Sequence, residues 1–349
     1  MDEARDAAEQ REASASTLSH CRVCSGPVAL ALSALEMMSG SRDAFDYFEC
    51  LHCGCLQIAR IPAELDRYYS GSYYTQRDVL PRSLLRGPST IRRGWTSFRL
   101  RESRVARALS MQRFGRFDWF RLTRTGVHDS ILDVGCGSGR LLHRLRSEGF
   151  ERLTGIDIHL IPLRDAQHED AMPKDAVPKD AVPAFHRESL EEHRGGYRLV
   201  MAHHSFEHLR DPIRGFDAFR RLVEPGGYLL LRLPMADSWA RRHYGANWVQ
   251  LDAPRHLHLH TRRSIRLLAE RSGFRIVYVV DDSGPFQIWG SEAYQRGVSL
   301  EEAGRGGRNE FGRIERLSAR SRAWMLSRRG VGDQACFYLE RIRDGQAGA

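Results

Sequence analysis

Along the chain, hydrophobic positions change their period twice. The first twenty residues are polar, without the apolar stretch of a secretory signal, and predict a disordered tail over 1–17. Short apolar runs follow at Pro27–Leu32 and Phe45–Phe48, which suit small strands within a unit spanning 18–76. Residues 77–122 are rich in arginine, with Leu100, Val105, Leu109, Met111 and Phe114 at mixed helical spacing, so a helical linker is expected there. From 123 to 345, apolar strands alternate with helical periods. Strands are expected at Ser130–Val134, Arg152–Ile158, Phe185–Arg187, Tyr197–Ala202, Tyr228–Leu233 and Phe274–Asp281. Helices are expected at Arg140–Glu148, Pro212–Val223 and Thr261–Ser272. This order predicts an α/β fold: a Rossmann-like, doubly wound sheet with helices on both faces and its ligand at the carboxyl ends of the strands.

Two stretches stand apart from that rhythm. Ala171-Met-Pro-Lys-Asp, Ala176-Val-Pro-Lys-Asp and Ala181-Val-Pro repeat with a proline in every fifth place, which prevents a helix. A flexible insertion over 171–183 is expected. Tyr68, Tyr69, Tyr73 and Tyr74 crowd seven residues and suit either docking of the first unit or a substrate mouth.

Composition adds limits. The 349 residues carry a formal charge of +9, and only Lys174 and Lys179 among the 53 basic residues are lysines. Arginine suits phosphate or carboxylate partners, but a GC-rich genome supplies it too, so nucleic acid is an unfavoured partner. No apolar run approaches the roughly 20 residues of a membrane span, and a cytoplasmic location is expected. Reduced thiols there argue against a disulfide scaffold.

Five of seven cysteines lie between 21 and 55. The spacing Cys21-x-x-Cys24 and Cys50-x-x-Cys53 predicts four thiolates around one structural Zn2+, with Cys55 as an alternative to Cys53. Four thiolates leave no open position, so this metal folds the ribbon and does not catalyse.

The chemistry concentrates in Ile131-Leu-Asp133-Val-Gly135-Cys136-Gly137-Ser-Gly139, where a strand runs through a glycine turn into a helix. Glycines admit a ligand close to the backbone, and the helix start offers free N–H groups. Asp133 precedes the first glycine and suits a cationic group. Asp157 closes the next strand, where a carboxylate takes both hydroxyls of a ribose.

With these motifs the chain resembles class I S-adenosylmethionine-dependent methyltransferases over about residues 125–285. Glu207-His208-Leu-Arg-Asp211-Pro212 is similar to the family's segment after strand four, and Leu222-Val-Glu-Pro225-Gly226-Gly227 to its turn before strand five. Gly332-Asp-Gln334 with Ala335–Arg341 looks like the family's last, antiparallel strand of seven, which makes 290–330 a helical insertion. The zinc-ribbon front end and Arg255-His256-Leu-His258 resemble a bacterial subgroup, some of whose members act on sugars or other small molecules.

The resemblance implies that S-adenosyl-L-methionine is the cofactor, cradled by Asp133, Gly135, Cys136, Gly137 and Gly139. It implies that Asp157 holds the ribose, with Ile158, Ser189 and Leu190 around the adenine and His203 where the fourth strand meets the active site. It implies methyl transfer to a hydroxyl or carbon of a small molecule: a sugar, glycan or secondary-metabolite acceptor. The histidine candidates for general base are His204, His208 and His256. Trp239, Tyr244 and Trp248 are candidate walls of the acceptor pocket. His256, His258 and His260 alternate, which on a strand would put them on one face. An RNA methyltransferase using the ribbon and the arginines is the alternative.

Overall fold

The computed structural model describes residues 19–69, 90–100, 116–160, 183–306 and 313–343. Tyr73 and Tyr74, residues 77–89 and 101–115 of the expected linker, and nearly all of the pentapeptide repeat lie outside them.

Seven strands form the main sheet: β4 Ser130–Val134, β5 Arg152–Ile156, β6 Ala184–His186, β7 Tyr197–His203, β8 Val223–Pro234, β10 Phe274–Asp281 and β11 Gln334–Arg341. Their order across the sheet is β10-β11-β8-β7-β4-β5-β6. β11 runs antiparallel between β8 and β10, and the pairings among β8, β7, β4, β5 and β6 are parallel. This is the expected seven-stranded Rossmann-like α/β fold. Alternation along β7 splits the core: Leu199 and Met201 pack on one face, Val200 and Ala202 on the other. Both faces are covered, which is why β4 is buried along its whole length.

Helix ends follow their local chemistry. Gly139, left-handed at φ 71°, precedes the helix Arg140–Glu148. Asp211 caps Pro212–Leu222, accepting from the N–H groups of Ile213 and Arg214, with Pro212 fitting the first turn. The Asp-Pro pair is thus a helix start. Thr261 caps Arg262–Arg271 in a capping box with Ser264, and so lies outside the helix it was expected to begin.

Some boundaries moved. β5 ends at Ile156, because Asp157 turns its carboxylate onto the Gly137 and His159 N–H groups. β8 begins at Val223 rather than Tyr228: Val223 pairs with Tyr197, the Pro-Gly-Gly stretch bulges out, and regular pairing resumes at Tyr228 opposite Leu199. Among the described residues, the helices Phe286–Gln295, Leu300–Gly306 and Arg313–Arg328 lie between β10 and β11, the first beginning before residue 290.

The amino-terminal unit is a four-stranded antiparallel sheet, β1 Val28–Leu35, β2 Ala44–Cys50, β3 Leu56–Ile58 and β9 His258–Leu259. Its last strand comes from the carboxyl-terminal half. Tyr47, Leu56 and Ile58 share one apolar cluster with Trp248, Leu251 and Leu257. Thr261 donates its hydroxyl to the Cys53 carbonyl at 2.6 Å. The ribbon is therefore fixed against the large sheet. Among the described residues, no helix is long and apolar enough to cross a membrane.

Candidate active site

The glycine turn is held from both sides. The N–H groups of Gly135 and Cys136 donate to the Ile156 carbonyl at 2.8 and 3.1 Å. Gly135 sits at φ 72°, and a Cβ there would lie 2.4 Å from the Ser205 Cβ. Both facts require glycine. Asp157 ties the turn to the next strand: one carboxylate oxygen accepts from the Gly137 N–H at 2.8 Å, the other from the His159 N–H at 2.7 Å. Asp133 is buried, and burial together with the Asp157 charge pushes its carboxyl up to about 7.

A cavity of about 750 Å³ opens above this turn. Gly135, Gly137, Asp157, Ile158, Ser189, Leu190 and His203 line its floor and one end. His204, His208 and Tyr69 line it as well. Asp133, Cys136 and Gly139 are not in its wall; Gly139 packs against the Phe185 ring, where a Cβ would come within 2.4 Å. Cys136 points its sulfur at Gly155. Trp248 and Tyr244 are buried in the apolar core with Trp239 beside them, and none of the three lines the cavity. Their size reflects packing.

His203, His204 and His208 stand in the cavity wall, with Glu207 and His256 buried behind it. His203 buries both ring nitrogens without a partner and packs on Trp119; burial drives its pKa well down, helped by Arg232 and His204. His204 takes a left-handed backbone, φ 51°, which costs a non-glycine residue energy and is common at functional sites. Its Nδ1 lies 3.3 Å from Glu207 Oε1. Burial alone would raise the Glu207 pKa, but the nearby His204, His256 and His208 hold it at about 2. His208 Nδ1 is 2.9 Å from both the Arg255 carbonyl and the Tyr69 hydroxyl. Burial and the neighbouring His256 lower its pKa to about 4. His256 sits behind the wall, its Nδ1 2.7 Å from the Gln250 carbonyl and its Nε2 3.8 Å from Glu207.

His256, His258 and His260 do not act as one face. Only His258 and Leu259 form a strand, and the His258 and His260 rings stack in the core 6.1 Å apart. Two features escaped the sequence: the convergence on Glu207, and Arg255, which binds Glu36 and Asp252 deep in the interior. Arg255 and Glu36 are 219 residues apart, so no local pattern announces the contact. Tyr69 packs against the apolar cluster of the amino-terminal unit and also lines the cavity.

In the ribbon, the sulfurs of Cys21, Cys24, Cys50 and Cys53 gather within 4.8 Å of one another. Cys55 is buried and faces His260 at 3.9 Å instead.

A methyltransferase domain family matches residues 100–279. The ubiquinone biosynthesis O-methyltransferase of Sodalis glossinidius is 34% identical over 137 residues, covering 37% of this chain and 51% of that protein. The enzyme of the same name from Erwinia tasmaniensis is 30% identical over 150 residues, covering 41% and 59%. The chain thus spans about half the length of the curated relatives it matches. A solved S-adenosylmethionine dependent methyltransferase from Mesorhizobium loti superposes with a TM-score of 0.40 at 17% identity, over 64% of this chain and 97% of that one. With the family match extending over more than half of its length, and with the sheet order and glycine turn described above, this chain belongs to the S-adenosylmethionine-dependent methyltransferases.

Proposed function

We propose that this chain transfers a methyl group from S-adenosylmethionine to an oxygen or carbon of a small-molecule acceptor, such as a sugar, a glycan or a secondary metabolite. One observation carries this: a single cavity joins the glycine turn and Asp157 to Tyr69, His204 and His208. When bound, the cofactor supplies an activated methyl on a sulfonium, which leaves as a neutral thioether. The chain's own work is to hold, align and deprotonate. Gly135 and Gly137 bring bare backbone to the amino acid part. The Asp157 oxygens each keep a lone pair for a ribose hydroxyl. Ile158, Ser189 and Leu190 flank the adenine. His204 is our choice of base, because Glu207 faces its Nδ1 and leaves Nε2 to take the acceptor's proton. The O-methyltransferases among the relatives favour oxygen as the acceptor atom.

The test is a transfer screen with methyl-labelled cofactor against phenols, sugar nucleotides and carrier-linked acceptors. Label should move to at least one class. His204→Asn should then lower kcat by about 10²–10⁴-fold while leaving cofactor affinity unchanged. Transfer to RNA alone, or to no acceptor, would sink the proposal.

We also infer that the ribbon holds one structural Zn2+. Zinc–sulfur bonds of about 2.3 Å place tetrahedral sulfurs about 3.8 Å apart. The Cys21–Cys53 and Cys24–Cys50 sulfurs are 3.6 and 3.5 Å apart. In the cobalt-loaded protein, Cys53→Ser should lose intensity in the thiolate-to-metal absorption band. Cys55→Ser should retain it, and the reverse pattern would make Cys55 the ligand.

A further inference from the structure

We propose that Glu207, His208 and His256 bind a second divalent ion of the zinc or iron(II) class, behind the part of the cavity wall that His208 forms. Their ligand atoms all lie within 4.8 Å of one another. Three features make the group more than a cluster of titratable side chains.

The first is the direction of the lone pairs. A carbonyl oxygen can only accept, so the contacts of His208 Nδ1 to Arg255 O and of His256 Nδ1 to Gln250 O fix a proton on each Nδ1. The Tyr69 hydroxyl shares the His208 N–H. Each neutral ring then carries an unshared pair on Nε2. Metal-bound histidines are held in this way, with the far nitrogen donating to a backbone carbonyl.

The second is Glu207. Its side chain is fully buried; His204 Nδ1 stands 3.3 Å from one carboxylate oxygen, off good hydrogen-bond geometry, and the other oxygen has no partner. A buried charge so sparsely compensated is costly. Asp252 brings a second carboxylate within 3.8 Å of His256 Nε2. The nearby guanidinium of Arg255 is engaged with Glu36 and Asp252. Lone pairs and negative charge therefore meet at a point where the chain's arginine is already committed, and a cation supplies what is missing.

The third is spacing. Metal–ligand bonds near 2.1 Å imply ligands about 3.4 Å apart in a tetrahedral site, and His256 Nε2 and Glu207 Oε1 stand at 3.8 Å. Two imidazoles and one carboxylate suit zinc or iron(II) and leave a coordination position open. Since His208 lines the cavity, an open position on its side of the ion would be the one that an incoming acceptor reaches. An acceptor hydroxyl bound there would lose its proton more readily. This consequence rests on the methyl-transfer proposal; binding of the ion does not.

The full-length chain, equilibrated with excess zinc and freed of loose metal by gel filtration, should hold two zinc ions per chain by atomic spectroscopy. Glu207→Gln and His256→Asn should each hold one. In cobalt-loaded protein, both variants should keep the thiolate absorption of the ribbon, which also reports that the chain has folded. If a variant does not fold, the wild-type count decides. One ion per chain, carried wholly by the thiolate site, overturns the proposal. Two ions retained in both variants overturn it as well, because the second ion would then lie elsewhere. Neither readout uses turnover, so a failure here is distinct from a failure of the methyl-transfer proposal.

Discussion

Arg255→Met should destabilise the chain by about 3–5 kcal/mol, the range for removing one partner of a buried ion pair. Arg255 is fully buried and spans three parts of the molecule. Its Nη2 is 2.8 Å from Glu36 Oε1 in the ribbon, and its Nε is 3.0 Å from Asp252 Oδ1. Its Nη1 donates to the Tyr68 carbonyl at 3.0 Å. Methionine fills much of the volume but leaves two carboxylates without their cation. Glu36 suffers less from this than Asp252, because its oxygens also accept from the N–H groups of Met38, Ser39, Gly40 and Ser41. Adding Glu36→Gln and Asp252→Asn should recover part of the loss, since removing the charges removes their desolvation cost. Urea unfolding of the three proteins measures both effects. A loss below about 0.5 kcal/mol for Arg255→Met would mean that water reaches the pair.

The same pair sets an acid dependence. Burial would raise the Glu36 pKa, but the Ser39 N–H and Arg255 hold it at about 2, below the ordinary 4.5. A depressed carboxyl pKa contributes stability above the ordinary value and loses it as the pH falls toward the folded one. The stability gap between wild type and Arg255→Met should therefore be full at neutral pH and shrink between about pH 4.5 and 2.

Asp157→Ala should weaken cofactor binding by at least about 100-fold, as loss of two charged hydrogen bonds worth about 1.5–3 kcal/mol each would do. The change removes the proposed ribose acceptor. It also frees the Gly137 and His159 N–H groups, which hold the turn in place before any ligand arrives. Asp157→Asn should lose less, because it keeps one acceptor oxygen. Equilibrium dialysis with labelled S-adenosylhomocysteine gives the ratios. Equal affinity in wild type and Asp157→Ala would remove Asp157 from the site.

Much of this was legible in the sequence, and the rest was not for physical reasons. Ser130–Val134, Arg140–Glu148 and Phe274–Asp281 have the expected bounds, because a continuous apolar run or a glycine cap marks each end locally. The early start of β8 was hidden, since Pro225-Gly226-Gly227 has the composition of a turn and forms a bulge between Val223 and Tyr228, both of which pair with β7. Asp157 was legible because chain order alone brings a strand end beside the glycine turn. Glu207 and His208 were legible as a motif, but their meeting with His256 depends on how the segment after Trp248 folds back. The link from Arg255 to Glu36 and the sharing of β9 with the ribbon are tertiary facts without a local period. Trp239, Tyr244 and Trp248 show the converse, since aromatic residues suit a core as well as a pocket.

The central claim is that the cavity above Gly135 and Asp157 is built for S-adenosylmethionine. Calorimetric titration of the wild-type chain with S-adenosylmethionine and with S-adenosylhomocysteine tests it most directly. One molecule of either should bind per chain, and S-adenosylhomocysteine should fail to bind further once the cofactor has saturated the site. No binding of either compound by a folded chain would contradict it.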